Sequence, residues 1–345
     1  MRFLYLILIE IIIVSCARDD RNIFFNAPLH EVAKLSDEVN LPYCLVLADS
    51  LDFCSIDFIE KFSCLKGWTL INFIDVSLAE NEWYIKYLSP NTIPLTCVFD
   101  THKKLIDIVP GVSQEALYYV YSCCVSLSPS LEFHYNQKYA YEKVKLINQI
   151  DLGIKLKHEV DKGMNVISEL DSLYHVSRNP YILYLKLMNQ IDFAHPFIDT
   201  AKELIAIEKP QDVLRLHKEI TYANSVLDLS YCDTAPQISL SPSMLYLERC
   251  DIDTTYILSV QVTNIGLKPL LLYDIITSCS CLKQRNKENT PKFLEANETI
   301  QLEFDFHVDA TGEIIREVCF ISNSIGNPIE CVIIKATSNY ESEGY

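Results

Sequence analysis

Thirteen cysteines carry most of the chemical potential of this 345-residue chain, and their spacing decides which chemistry is open to it. No two stand in a C-x-x-C motif, the arrangement in which neighbouring thiols close and reopen a disulfide. Cys279 and Cys281 are one residue apart and share a face if the backbone there is extended. Soft thiolates at that spacing can hold Cu(I), or in an oxidising compartment the sulfurs can pair. No His-x-His or methionine cluster supplies further ligands, so no metal site is assigned. Cys319 and Cys331 flank a hairpin centred near Ile325 and face each other across it; a disulfide and two core thiols both fit. Cys54 lies near the start of an expected helix, where a lowered pKa would make a lone thiol reactive. Cys44, Cys64 and Cys97 sit in apolar runs and are expected to be buried and inert.

Other chemistries lack their residues. With 8 glycines there is no G-x-G-x-x-G and no G-x-x-x-x-G-K-[ST] loop to cradle a phosphate; H-E-x-x-H and G-x-S-x-G are also absent. No catalytic residue and no cofactor is expected. Acidic side chains number 46 against 29 basic, a net charge of −17, which excludes nucleic-acid binding through a diffuse basic field.

The elements that must position the cysteines begin with an apolar stretch over residues 3–14, broken once by Glu10 and preceded by Arg2. It is too short to span a bilayer, which takes roughly 20 apolar residues, and has the proportions of a secretory signal. The stretch closes on Ile13-Val14-Ser15-Cys16 and turns polar at once, which resembles the lipobox of bacterial lipoproteins. That resemblance implies a signal peptide over 1–15, lipidation of Cys16 and a tether over 16–37.

Residues 41–48, 70–76, 94–99 and 105–109 read as strands, with helical spacing over 51–65, 80–89 and 113–125. This order resembles the thioredoxin fold, and Ile93-Pro94-Leu95-Thr96 is similar to that family's Ile-Pro-Thr stretch, which makes Pro94 a cis-proline candidate. The resemblance places the family's two redox cysteines at Leu51 and Cys54, with the attacking thiol missing, or in a shifted alignment at Cys54 and Asp57, with the second missing; either way dithiol exchange is not expected. A domain over 38–127 is therefore read as a redox-dead thioredoxin-like scaffold.

Between 128 and 232 the apolar period becomes helical, with breaks at Asn179-Pro180, His195-Pro196 and Lys209-Pro210, as in a helical hairpin array. Its apolar stripes read as core, and Tyr135, Tyr139, Tyr141, Tyr181 and Tyr184 as core or groove lining. From 236 to 338 the period drops to two; Leu302, Phe304, Phe306 and Val308 alternate with polar residues. The runs Asn264-Ile265-Gly266, Ser278-Cys279-Ser280-Cys281 and Ser322-Asn323 resemble a bacterial Ig-like domain family related to ASH/HYDIN domains, which reads N-T-G, then S-C-G-C, then S-N. A tail over 339–345 follows.

The fold class expected is thus multidomain, α/β plus α plus β. The function expected is a lipid-anchored, non-catalytic binding or scaffold protein of the bacterial envelope, on the periplasmic or surface face of the outer membrane. Its partners are the membrane, through Cys16, and a protein or glycan. The alternative is thiol-redox or copper handling by Cys54 or by Cys279 and Cys281.

Overall fold

The computed structural model describes residues 22–53, 55–90, 92–129, 143–285 and 292–338. The chain divides into two compact units, Met1–Ile182 and Leu183–Tyr345.

Unit 1 is built on a five-stranded sheet. The strands are β1 (Ile23–Phe25), β2 (Tyr43–Ala48), β3 (Leu70–Asp75), β4 (Leu95–Phe99) and β5 (Leu105–Pro110), in the order β1-β3-β2-β4-β5. The first three neighbours run parallel; β4 lies antiparallel to both β2 and β5. Every residue of β2 is buried, as expected of a central strand covered on both faces, which is why it reads as an unbroken apolar run. The covering helices are α1 (Leu29–Val39), α2 (Ser50–Phe53), α3 (Ile56–Lys61), α4 (Glu82–Leu88) and α5 (Gln114–Ser126). Phe73 collects Phe53, Phe58 and Phe62 around its ring at 5.3–6.0 Å on one face. Tyr43 and Phe99 stack at 4.8 Å. The Asp100 carboxylate closes the β4–β5 turn by accepting the His102 and Lys104 N–H groups, each at 2.9 Å. Ser113 caps α5 by accepting the Ala116 N–H at 3.1 Å.

Helices α6 (Lys143–Asp161) and α7 (Ile167–Ser177) also belong to unit 1. At Gly153 a Cβ would collide with the ring of Tyr87, whose hydroxyl donates to Gln149 O at 3.0 Å. Only a bare backbone lets the helix lie against that tyrosine.

Two expectations change here. The described part of the stretch expected to be a tether is folded: β1 pairs with β3, and α1 buries Val32, Ala33 and Ser36 while its charges face outward. A three-residue strand and a short helix of low net hydropathy leave a weak pattern in the sequence. The stretch expected as one helical array is divided, with the unit boundary falling inside α8 (Pro180–Asp192).

Unit 2 opens with α9 (Ile198–Ile205), α10 (Pro210–Arg215), α11 (His217–Leu227) and the single turn α12 (Tyr231–Thr234). A two-sheet sandwich follows. One sheet has the order β10-β12-β8-β6, from Leu282–Gln284, Thr299–His307, Thr255–Asn264 and Ile238–Ser241. The other has the order β11-β9-β13-β14-β7, from Lys292–Leu294, Leu270–Thr277, Gly312–Ser322, Ile329–Ser338 and Met244–Cys250. The alternation in β8 and β12 points Val260, Val262, Leu302, Phe304 and Phe306 into a core completed by Val318, Phe320, Val332 and Ile334. The run over 238–247 forms two strands, separated at the cis Ser241–Pro242 bond, and they lie in different sheets. Ser241-Pro242-Ser243 interrupts the apolar pattern at that point, where a proline ends one strand before the next begins. The helical lead packs onto the sandwich through Lys268, which pairs with Asp228 and lies 5.1 Å from the ring centre of Tyr231.

Candidate functional site

Two sets of cysteines and one sheet face are the places where this fold could do chemistry or bind. In unit 1, β2 and β4 are antiparallel with Leu47 opposite Leu95, so the end of β2 and the start of β4 meet at one edge of the sheet. The Ile93–Pro94 bond there is cis, and Pro94 O accepts the Gly111 N–H at 2.8 Å. At the same edge, Asp49 Oδ1 accepts the backbone N–H groups of Leu51 and Asp52 at 2.8 and 3.0 Å, which starts α2. Leu51 is 78% exposed. That position, where the thioredoxin resemblance would put the attacking cysteine, thus holds an exposed apolar side chain. Cys54, Cys16 and the signal segment lie outside the described residues, as do Tyr135, Tyr139 and Tyr141. Among the described residues no helix is long and apolar enough to cross a membrane.

The other thiols of unit 1 are mostly interior. Cys44, Cys97, Cys123 and Cys124 are buried. Burial, then the Asp107 carboxylate, pushes the Cys97 thiol up to about 12. Cys64 departs from expectation and is exposed: Phe62 and Leu65 of its 3-10 turn take the inward positions and leave Cys64 pointing out. It lines an open groove of about 680 Å³ together with Lys61, Val112, Leu117, Tyr118 and Tyr121. Of the tyrosines read as core or groove, Tyr181 is buried, and Tyr184 is half-buried with its phenol raised to about 12 by burial and then by Glu219.

In unit 2 the paired cysteines are disulfides, Cys279–Cys281 and Cys319–Cys331. The first closes the turn between β9 and β10. Cys279 O accepts the Thr277 hydroxyl at 3.2 Å, Cys281 O accepts the His307 N–H at 2.8 Å, and Arg316 Nε donates to Cys281 Sγ at 3.4 Å. With its two sulfurs bonded to each other, the Cys-x-Cys motif presents no thiolate to a metal. The second disulfide joins residues directly opposed on β13 and β14. Glu317 lies within 4.8 Å of both sulfurs, but these are likewise consumed by their bond.

The remaining motif residues organise loops, which the sequence reading missed. Asn264 is fully buried; its amide donates to Lys268 O at 2.9 Å and Leu294 O at 3.0 Å, and its carbonyl accepts the Gly266 N–H at 3.0 Å. A Cβ at Gly266 would strike Ala235 O, so the Asn-x-Gly spacing is a packing requirement. Asn323 Oδ1 accepts the Leu271 N–H at 2.8 Å and holds the start of β9 in the same way. An asparagine embedded in an otherwise alternating strand end was the available signal.

Around Cys319–Cys331 the outward face of the five-stranded sheet mixes exposed apolar residues with the charged Glu317 and Lys335. Ile276 is opposite Cys319, Tyr246 is in register with Lys335, and Ile333 joins Met244 to Glu317. Ile276, Ile315 and Tyr246 are 48, 52 and 67% exposed.

The family model for the HYDIN/CFA65/VesB-like Ig-like domain matches residues 236–337. Those residues form an Ig-like domain. The match covers less than half of the chain and therefore describes unit 2's sandwich and no more. No curated protein matches the chain. Among solved structures the chain is similar to a protein of unknown function from Porphyromonas gingivalis W83, at 19% identity and a TM-score of 0.26, covering 30% of this chain and 46% of that one. It is also similar to the ASH/PapD-like domain of human CEP192, at 7% identity and a TM-score of 0.25, covering 30% and 85%. The Vibrio cholerae VesB protease matches at 12% identity and a TM-score of 0.26, covering 33% and 35%. The chain thus spans under half the length of the Porphyromonas and Vibrio proteins.

Proposed function

We propose that this chain is a non-catalytic binding protein of the cell envelope, anchored by a lipid on Cys16. In this reading unit 1 is a thioredoxin-like body without dithiol chemistry, and the Ig-like domain presents a protein-binding face. The observation that carries it is the pair of disulfides in the sandwich, because disulfides persist in exported proteins and are rare where thiols are kept reduced. The outward face around Cys319–Cys331, where exposed Ile276, Ile315 and Tyr246 stand among charged residues, supports a protein partner. The strand order of unit 1, with an exposed Leu51 at the start of α2, supports the redox-dead scaffold. Copper binding by Cys279 and Cys281 is disfavoured by their mutual bond, which leaves no thiolate to hold the ion.

The test is intact mass spectrometry of the native protein, combined with insulin reduction. A chain beginning at acylated Cys16 and inactive toward insulin is expected. An unmodified, soluble chain, or dithiol turnover abolished by Cys54→Ser, overturns the reading.

A further inference from the structure

A second thiol system lies inside unit 1, away from the sheet edge that carries Pro94. Cys44 sits within β2 and Cys124 in the last turns of α5, 80 residues further along the chain. Both are buried, and their Sγ atoms are 3.9 Å apart. The Thr69 hydroxyl lies 3.5 Å from Cys44 Sγ and donates its own proton to Pro42 O at 2.9 Å. Cys44 Sγ thus contacts both Thr69 and Cys124, and either sulfur of the pair can carry the shared proton. The hydrogen bond between the two sulfurs holds the Cys44 thiol well above the usual range and draws the Cys124 thiol down. The neighbouring Cys123 is turned elsewhere, with its thiol 3.6 Å from Asp107 Oδ2.

We propose that Cys44 and Cys124 are a peroxide-oxidisable pair, with Cys124 the attacking sulfur and Cys44 the resolving one. The Cys124 thiolate attacks one oxygen of hydrogen peroxide; the O–O bond breaks, the sulfur becomes a sulfenic acid and the departing hydroxide leaves as water after taking a proton. The Cys44 sulfur then attacks the sulfenic sulfur, its proton leaves with the displaced hydroxide as a second water, and the Cys44–Cys124 disulfide forms. Two thiols lose two electrons and one peroxide gains them. Access selects the oxidant. Cys44 is 0% and Cys124 6% exposed, so Cys124 is the sulfur open to an oxidant as small as a peroxide, whereas a protein disulfide, which needs in-line approach to sulfur, is excluded. Closure draws the sulfurs from 3.9 Å to about 2.05 Å and ties α5 to the central strand of the sheet.

The experiment treats the full chain with a few equivalents of hydrogen peroxide, alkylates remaining thiols in denaturant and maps the digest without reduction. Tandem spectra are expected to place a link between Cys44 and Cys124. In Cys44→Ser, dimedone is expected to label Cys124; in Cys124→Ser, Cys44 stays alkylatable. Recovery of Cys44 fully alkylated from peroxide-treated wild-type protein overturns the proposal, as does its linkage to any other cysteine. A dimedone adduct on Cys44 instead of Cys124 overturns the order of attack. The wild-type map needs no variant, so it decides the question even if either serine variant fails to fold.

Discussion

Lys143 Nζ lies 2.8 Å from Asp107 Oδ1 inside unit 1, with 5% and 0% of the two side chains exposed. It is also 2.9 Å from Oδ2, so both carboxylate oxygens are engaged at the start of α6. Charges taken out of water cost several kcal/mol each and are tolerated only as a well-made pair. Breaking the pair should therefore cost far more than replacing it. Lys143→Met alone is expected to lower stability by about 3–5 kcal/mol, while Lys143→Met with Asp107→Leu recovers most of that loss. Urea unfolding of the three proteins checks it; equal losses in the single and double variants would refute it.

Asn264→Ala removes the side chain that serves Lys268 O, Leu294 O and the Gly266 N–H together. Each buried backbone group left without a partner costs about 1–3 kcal/mol, so a loss of at least about 2 kcal/mol is expected. Asn264→Asp keeps the acceptor but sets a buried carboxylate against the Lys268 and Leu294 carbonyl oxygens, and should be at least as destabilising as alanine in thermal unfolding at neutral pH.

The Cys319–Cys331 bond closes a short hairpin loop, with a sequence separation of 12. Disulfides of that span contribute about 2–4 kcal/mol, mainly by restricting the unfolded chain. Replacing both cysteines by alanine should lower the unfolding midpoint by a corresponding amount. Reduction of the wild type should move it toward the same value, measured by denaturation with and without a thiol reductant.

His158 stacks on His30 at 6.1 Å between ring centres, and its pKa is depressed below 6.5 by partial burial first and then by Lys162 and His30, with Asp161 acting in the other direction. A depressed folded-state pKa means the unfolded chain takes up the proton first. The favourable contribution is complete above 6.5 and is lost as pH falls through 6.5 toward the folded value. His158→Gln should flatten the acid side of the stability curve in that window. An unchanged slope in urea midpoints measured across it would refute the assignment.

Legibility differed by element. The alternation of β8 and β12 could be read directly, because a half-buried strand repeats every two residues and each residue declares its face. Strand β2 was visible as an apolar run, since both of its faces are covered. Helix α1 and the three-residue β1 were not, because a strand that short carries no period, and α1 buries only a narrow stripe among charges. The exposure of Cys64 was hidden for a related reason: apolar neighbours suggest burial, but the 3-10 turn gives the interior to Phe62 and Leu65.

By itself, the sequence determined what can be encoded locally: strand and helix period, the missing C-x-x-C, the absence of phosphate loops, and the Asn-x-Gly and Cys-x-Cys motifs of the Ig-like domain. Tertiary structure alone decided which sulfurs meet. It joined Cys279 to Cys281 and Cys319 to Cys331, set Cys44 beside Cys124 across 80 residues, and buried Asp107 with Lys143. Local patterns reach only a turn or a pleat along the chain. Contacts between distant residues follow from which apolar faces pack together, a property no single segment carries.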